Sequence, residues 1–202
     1  MMKKLGMTLG LTLSLLAAGQ ANATLVVDTG APNGLGGALA LDGNDWLAGQ
    51  VHFSQALNIN SISNYMDDLG NGGGNFTIAL YSDNNNKVGS KLNFADTTYS
   101  NAGWNGASNL NWLVSAGNYW VALEVNDFST FVASQSAPNP LVHTAYTDGS
   151  HNNSYISYDG LSFGVQVDAA TVTAVPEPES YAMLLAGLGL LGWMSRRKNN
   201  AA

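Results

Sequence analysis

The stretch Leu161-Ser162-Phe163-Gly164-Val165-Gln166-Val167-Asp168 alternates apolar and small or polar residues without a break. Successive side chains of a β-strand point to opposite faces, so this pattern predicts a strand with one buried face and one exposed face. The residues expected to face a core are Leu161, Phe163, Val165 and Val167. This is the clearest half-buried strand that the chain contains.

Two further stretches, Phe76–Tyr81 and Tyr119–Val125, show the same alternation. Their predicted inward residues are Phe76, Ile78, Leu80, Tyr119, Val121, Leu123 and Val125. Shorter strand candidates are Gln50–Phe53, Leu57–Ile59, Leu110–Val114, Phe131–Ala133 and Tyr155–Tyr158. Asn-, Asp- and Gly-rich turn signals separate them. We therefore expect about seven to nine short strands and an all-β fold, a single β-sandwich or jelly-roll-like domain.

The N-terminus has the pattern of a secretory signal peptide over residues 1–23. Lys3 and Lys4 precede an apolar region, and Ala21-Asn22-Ala23 supplies the small residues of a cleavage site. We expect a signal-peptide helix that signal peptidase removes after Ala23.

The C-terminus contains Val175-Pro176-Glu177-Pro178-Glu179, an apolar run from Tyr181 to Met194, and a basic cluster of Arg196, Arg197 and Lys198. The sixteen uncharged residues from Ser180 to Ser195 would form a helix of about 24 Å, somewhat shorter than the roughly 30 Å hydrocarbon core of a bilayer. Snorkelling basic side chains can compensate for that mismatch. We therefore expect a short transmembrane helix whose basic end stops on the cytoplasmic side.

This tail resembles the PEP-CTERM sorting signal of Gram-negative bacteria. The resemblance implies that an exosortase processes the chain at Pro176-Glu177-Pro178, in bacteria that make extracellular polysaccharide. It implies export through an inner-membrane intermediate, with the cell surface or the extracellular matrix as the destination. Exosortase would then be a partner of the chain, and the inner membrane a transient one.

Between the two sorting segments, residues 24–174 have the length of one domain. Phe76–Asp83, Val88–Leu92 and Gly117–Leu123 resemble the β-sandwich ectodomains found ahead of PEP-CTERM tails, and this resemblance implies no activity. The domain carries two lysines against twelve acidic side chains, a formal charge of about −10. Such a charge repels phosphate backbones, so nucleic acid is excluded as a partner. The chain contains no cysteine, which excludes thiol chemistry.

Catalytic residues are not predicted. His52, His143 and His151 are scattered without metal-ligand spacing, and no Gly-x-Ser-x-Gly motif is present. No cofactor is expected apart from a structural Ca²⁺. Its candidate ligands are the hard oxygen donors of two tight turns, Asp42, Asn44, Asp45, Asp83 and Asn85. The alternative is that these residues form ordinary Asx-rich turns.

Aromatic residues provide the remaining candidate site. Trp104 lies between Gly103 and Asn105-Gly106, which predicts an exposed loop, and exposed tryptophan can stack on sugar rings. Trp104 is therefore the candidate glycan contact, whereas Trp46, Trp112 and Trp120 are predicted to be core residues.

We expect a non-enzymatic, exported protein, a structural or adhesive component associated with extracellular polysaccharide. A specific carbohydrate-binding module is the alternative, and a secreted hydrolase is a third.

Overall fold

The computed structural model describes residues 22–33, 38–41, 45–67, 74–99, 101–125, 131–147, 154–172 and 183–191. A short helix covers residues 183–191. The strands within the described ranges are β1 (Thr24–Asp28), β2 (Ala38–Leu41), β3 (Leu47–Phe53), β4 (Leu57–Asp67), β5 (Gly74–Asp83), β6 (Val88–Tyr99), β7 (Gly103–Val114), β8 (Gly117–Val125), β9 (Phe131–Ser134), β10 (Thr144–Tyr146), β11 (Ile156–Ser157) and β12 (Val165–Thr171).

The strands form two six-stranded antiparallel sheets. Sheet I has the order β1-β12-β4-β9-β2, with β7 paired to β4, and sheet II has the order β11-β10-β3-β8-β5-β6. Apolar side chains from both sheets belong to one buried cluster, with Ile59, Ile62 and Val167 from sheet I and Ile78 and Leu123 from sheet II fully buried. The sheets thus pack face to face, which confirms the all-β sandwich prediction.

The predicted inward faces are confirmed on all three alternating stretches. Ile78 and Leu80 of β5, and Val121 and Val125 of β8, have no exposed surface. Val165 is equally buried on β12. The period of two therefore identified the core side of these strands correctly.

The last strand begins later than the alternation predicts, at Val165 rather than at Leu161. The backbone N–H of Leu161 donates to Thr144 Oγ1 at 3.4 Å, and that of Ser162 donates to Gln135 Oε1 at 2.9 Å. These bonds to side chains take the place of a strand ladder at these two positions.

The expected number of strands is too low. The predicted strands do not include β1, β2, β6 or β10. The longest of these is β6, twelve residues long, with mostly exposed or half-buried side chains. It lies at the edge of sheet II, beside β5 only. An edge strand needs little apolar surface, so its sequence carries a weak strand signal.

Candidate functional site

The candidate site lies on the outer face of sheet I, on β4 and the two strands β7 and β12 that pair with it. The pairing of β4 with β7 shifts between Ile59 and Ser61, so Ile59 and Ile62 both reach the core although they are three residues apart. Ser61, Ser63 and Tyr65 consequently face outward, and all three are half-buried. The ladder between β4 and β12 shifts at the same place, where Ser61 pairs with Asp168 and Ile59 pairs with Ala169. Thus β4 has one extra residue relative to β12, a β-bulge, which changes the side chains of β4 that reach solvent.

Trp104 lies on this outer face, directly beside Tyr65 in the β4–β7 ladder. The two rings are 5.3 Å apart between centroids and nearly perpendicular, at 85°. The prediction of a loop at Trp104 is wrong, because Trp104 is the second residue of β7. The adjacent Gly103, at φ 115°, accounts for the loop-like sequence, since a positive φ favours glycine.

Glycines allow the aromatic pair to lie close to the sheet. A Cβ atom on Gly164 would lie 2.5 Å from Tyr65 Cβ and 3.3 Å from the far edge of the Trp104 indole. A Cβ on Gly106 would clash with the β4 backbone at Ser63. The face therefore combines two aromatic rings with a floor that has no room for larger side chains.

Polar side chains of β4 and β12 lie on the same outer face as the aromatic pair. Ser61 Oγ donates to Asp168 Oδ2 at 2.9 Å, and Gln166 Nε2 donates to Asp28 Oδ1 at 3.3 Å. Asp168 and Gln166 are the outward residues that the alternation of the last strand predicts. Aromatic rings beside hydroxyl, amide and carboxylate groups can stack on a sugar ring and bond its hydroxyls. We name the set Tyr65, Trp104, Ser61, Ser63, Gln166 and Asp168 the Trp104 face.

A second polar cluster lies on the outer face of sheet II, and the sequence does not predict it. Lys91 Nζ is 2.7 Å from Glu124 Oε2, and only 1% of the Glu124 side chain is exposed. The Lys91 ammonium also lies 5.5 Å from the ring centroid of Tyr81 and 5.7 Å from that of Trp46. Aromatic rings and a carboxylate thus lie beside this cation, although 37% of the Lys91 side chain remains exposed.

Two tyrosines complete that cluster. Tyr81 donates its hydroxyl to Glu124 Oε1, and Tyr155 approaches the same oxygen at 3.5 Å. Burial, and then the hydrogen bond to Glu124, raises the pKa of Tyr81. Burial and the charge of Glu124 likewise raise the pKa of Tyr155. Both phenols therefore stay protonated, and they act as hydrogen-bond donors to Glu124.

The alternation of β8 predicts that Glu124 faces outward, but not that it is covered. Tyr155, which covers it, is separated from Glu124 by more than thirty residues. Such a contact leaves no local signal in the sequence.

Of the tryptophans predicted to be core residues, Trp112 lies in the main cluster. Trp120 is fully buried but belongs to a second apolar cluster on the outer face of sheet II, with Ala48, Ala79 and Ala122. Trp46 is half-buried. Its indole N–H donates to the carbonyl oxygen of Val125 at 2.8 Å.

Asp83, a predicted calcium ligand, is held by protein donors. Trp120 Nε1 and Gln50 Nε2 donate to its Oδ1 at 2.8 and 2.7 Å, and the N–H of Asn86 donates to its Oδ2 at 3.3 Å. Asn85 lies in the turn that follows, at φ 54°. These contacts give Asp83 a structural role that does not require an ion.

The described residues contain no group of three His, Asp or Glu side chains that could hold a metal ion. Asp42 and Asn44 lie outside the described residues, and Asp45 lies inside them. The calcium site therefore stays a prediction. His52 Nδ1 lies 2.7 Å from Asn118 Oδ1, and His143 Nδ1 lies 3.3 Å from Asp159 Oδ1.

The predicted processing residues fall mostly beyond what the structure describes. Ala21, the segment Pro176-Glu177-Pro178 and the basic residues Arg196, Arg197 and Lys198 lie outside the described residues, whereas Ala23 is exposed next to β1. Residues 183–191 form a helix with every side chain exposed. Among the helical residues described, none belongs to a helix with the length and apolar character that crossing a membrane requires.

Comparison with solved structures identifies similar folds. A clostridial cysteine protease, Cwp84 C116A after propeptide cleavage, aligns with a TM-score of 0.51 and 14% identity, covering 69% of this chain and 38% of that chain. A structure of the cysteine protease and lectin-like domains of Cwp84, a surface layer associated protein of Clostridium difficile, has a TM-score of 0.49 at 12% identity, with coverages of 67% and 36%. This chain thus matches less than two-fifths of either structure, and the likeness concerns the fold alone.

No curated protein matches the sequence. A family model does match the C-terminus, that of the PEP-CTERM protein-sorting motif, over residues 174–198. This range begins one residue before the predicted sorting segment. The motif supports export of the protein and implies processing by an exosortase. The chain therefore ends in a PEP-CTERM protein-sorting motif, consistent with a PEP-CTERM protein.

Proposed function

We propose that this chain is a non-enzymatic protein of the cell surface or extracellular matrix, and that its sandwich associates with extracellular polysaccharide as a structural or adhesive component. The observation that carries the proposal is the Trp104 face, an aromatic pair beside hydroxyl, amide and carboxylate groups, on a domain followed by a sorting motif. Signal peptidase and an exosortase would be the processing partners.

Charge narrows the class of polysaccharide. The domain has a formal charge of about −10, and the Trp104 face itself includes Asp168. Repulsion between like charges disfavours a strongly anionic polymer, so we expect a neutral glycan. Tyr65 and Trp104 would stack on its rings, and Ser61, Gln166 and Asp168 would bond its hydroxyls.

The test uses the full chain and insoluble or immobilised polysaccharides, including the matrix of the host. Trp104→Ala should weaken retention about two- to twelvefold, since an aromatic contact contributes roughly 0.5–1.5 kcal/mol beyond buried area. Phe94→Ala is the matched control, because Phe94 is an aromatic residue that is 62% exposed on the other sheet. Melting temperatures of both variants separate lost contact from lost folding.

Equal retention of the two variants would remove the Trp104 face from the proposal. If the full chain is retained on no polysaccharide, including the host's own, the association itself is wrong.

A specific carbohydrate-binding module is the second candidate, and the same face favours it. A glycan array distinguishes the two, since a module should select one glycan and a matrix component should bind several. Turnover of glycosides, esters or peptides by the purified chain would instead favour the secreted hydrolase and contradict the non-enzymatic proposal.

A further inference from the structure

The open edge of the sandwich contains a pocket of about 440 Å³. Leu39 and Leu41 of β2 form its wall on sheet I, and Leu47 of β3 and Tyr146 of β10 form its wall on sheet II. Leu161, from the segment between β11 and β12, lies against the same space. The volume is within the range of small-molecule sites, about 300–1,000 Å³.

The wall on the side of sheet II is fixed by hydrogen bonds. The N–H of Trp46 donates to Thr147 Oγ1 at 3.0 Å, and the N–H of Thr147 donates to the carbonyl oxygen of Trp46 at 3.0 Å. The Trp46 indole is tied to Val125 as described above. This wall is therefore formed before any ligand arrives, which lowers the entropy lost on binding.

The chemistry of the lining selects the ligand. The apolar lining consists of four leucines and the perpendicular ring pair of Tyr146 and Tyr158, 5.9 Å apart between centroids. Leu41 and Leu47 are only 2% exposed, so the accessible apolar surface comes mainly from Leu39, Leu161 and the two rings. Tyr158 is 55% exposed at the rim. Asp45 contributes a carboxylate to the lining and Thr147 a hydroxyl. An anionic ligand would meet this carboxylate in a domain that is already strongly acidic.

We propose that this pocket binds an uncharged, largely apolar small molecule with a ring or short alkyl chain. The proposal does not depend on polysaccharide binding, since the Trp104 face lies on the outer side of sheet I and shares no residue with the pocket. Sugars are less suited to it, because leucine side chains and tyrosine rings would lie against their hydroxyls.

The absence of cysteine permits a clean test on the full chain. Leu161→Cys places a single thiol in the pocket, and Leu113→Cys places one on β7, where the leucine is 72% exposed. The rate of maleimide labelling is measured with and without N-phenyl-1-naphthylamine, a neutral apolar probe. Binding of the probe should slow labelling of Leu161→Cys severalfold and leave Leu113→Cys unchanged.

A second pair of variants tests the pocket without introducing a thiol. Leu161→Trp should fill part of the pocket and reduce the fluorescence of the bound probe, whereas Leu113→Trp should not. If the probe leaves the labelling of Leu161→Cys unchanged, or slows both thiols alike, the proposal is wrong.

Discussion

Asp83 is a residue of a polar turn whose carboxylate connects three parts of sheet II through hydrogen bonds. Its carboxylate connects the indole of Trp120 on β8, the amide of Gln50 on β3 and the backbone of Asn86 after β5. Burial by itself would raise its pKa, but these hydrogen bonds and the charge of His143 outweigh burial, so the pKa of Asp83 is lowered. The ionised form is therefore favoured in the folded state.

We predict that Asp83→Asn destabilises the sandwich by about 1 kcal/mol at pH 7, because an amide nitrogen would then face the N–H of Asn86. A carboxyl group with a lowered folded pKa stabilises the protein above its unfolded pKa, here near 3.8. That contribution is lost as the pH falls through the folded pKa. Urea unfolding of both proteins between pH 7 and 3 measures the difference.

The difference in unfolding free energy between the unchanged protein and Asp83→Asn should become smaller below about pH 4. A gap of constant size over this range would contradict the assignment of the pKa shift to Asp83.

At the scale of elements, the β5–β6 hairpin depends on its turn. Asn84 and Lys87 exchange two backbone hydrogen bonds, at 2.9 and 3.2 Å, across Asn85 and Asn86. Both central residues have positive φ, 54° and 59°, as in a type I′ turn. Asparagine adopts this conformation more readily than most residues, which explains the run Asp83-Asn84-Asn85-Asn86.

We predict that Asn85→Ala lowers the free energy of unfolding by about 1 kcal/mol, since an alanine side chain disfavours positive φ. Asn85→Gly is the matched variant and should cost little or nothing, because glycine adopts this conformation freely. Thermal or urea unfolding distinguishes them. Equal losses in both variants would show that the asparagine side chain, and not the backbone conformation, is what matters.

The same hairpin shows what could be predicted for single elements. Alternation identified the buried face of β5 because half of that strand packs against the core. The partner strand β6 was not predicted, because its mostly polar side chains face solvent at a sheet edge and show no clear apolar alternation. Trp104 was predicted to lie in an exposed loop, but it is a half-buried residue of β7, and its role as a glycan contact stays a prediction. Gly103 and Gly106 near Trp104 gave the sequence the character of a loop rather than of a strand. Its neighbour Tyr65 is known only from the pairing of β7 with β4.

At the scale of the whole molecule, the first and last strands of the sandwich are neighbours. Thr24, the first residue of β1, pairs with Ala169 near the end of β12. The chain therefore enters and leaves sheet I at the same end. Both predicted membrane segments would then tether that end of the sandwich, and removing them would leave β1 and β12 intact.

We predict that protein recovered from its own host begins at Thr24 and lacks Arg196, Arg197 and Lys198. Cleavage after Ala23 and near Pro176-Glu177-Pro178 gives this product, and intact-mass analysis measures it. Replacing Pro176, Glu177 and Pro178 together by alanine should retain the tail. A mature protein that still carries the basic cluster would contradict exosortase processing.

The sequence alone determined the sorting motif, the inward faces of three strands and the acidity of the domain. Each depends on the order or kind of residues close together in the chain, where periodicity and charge can be read directly. Only the tertiary structure decided that Tyr65 lies beside Trp104, that Tyr155 covers the Lys91–Glu124 pair, and that leucines from both sheets line a pocket. Those arrangements depend on strand register and on the packing of the two sheets, which bring together residues far apart in the chain.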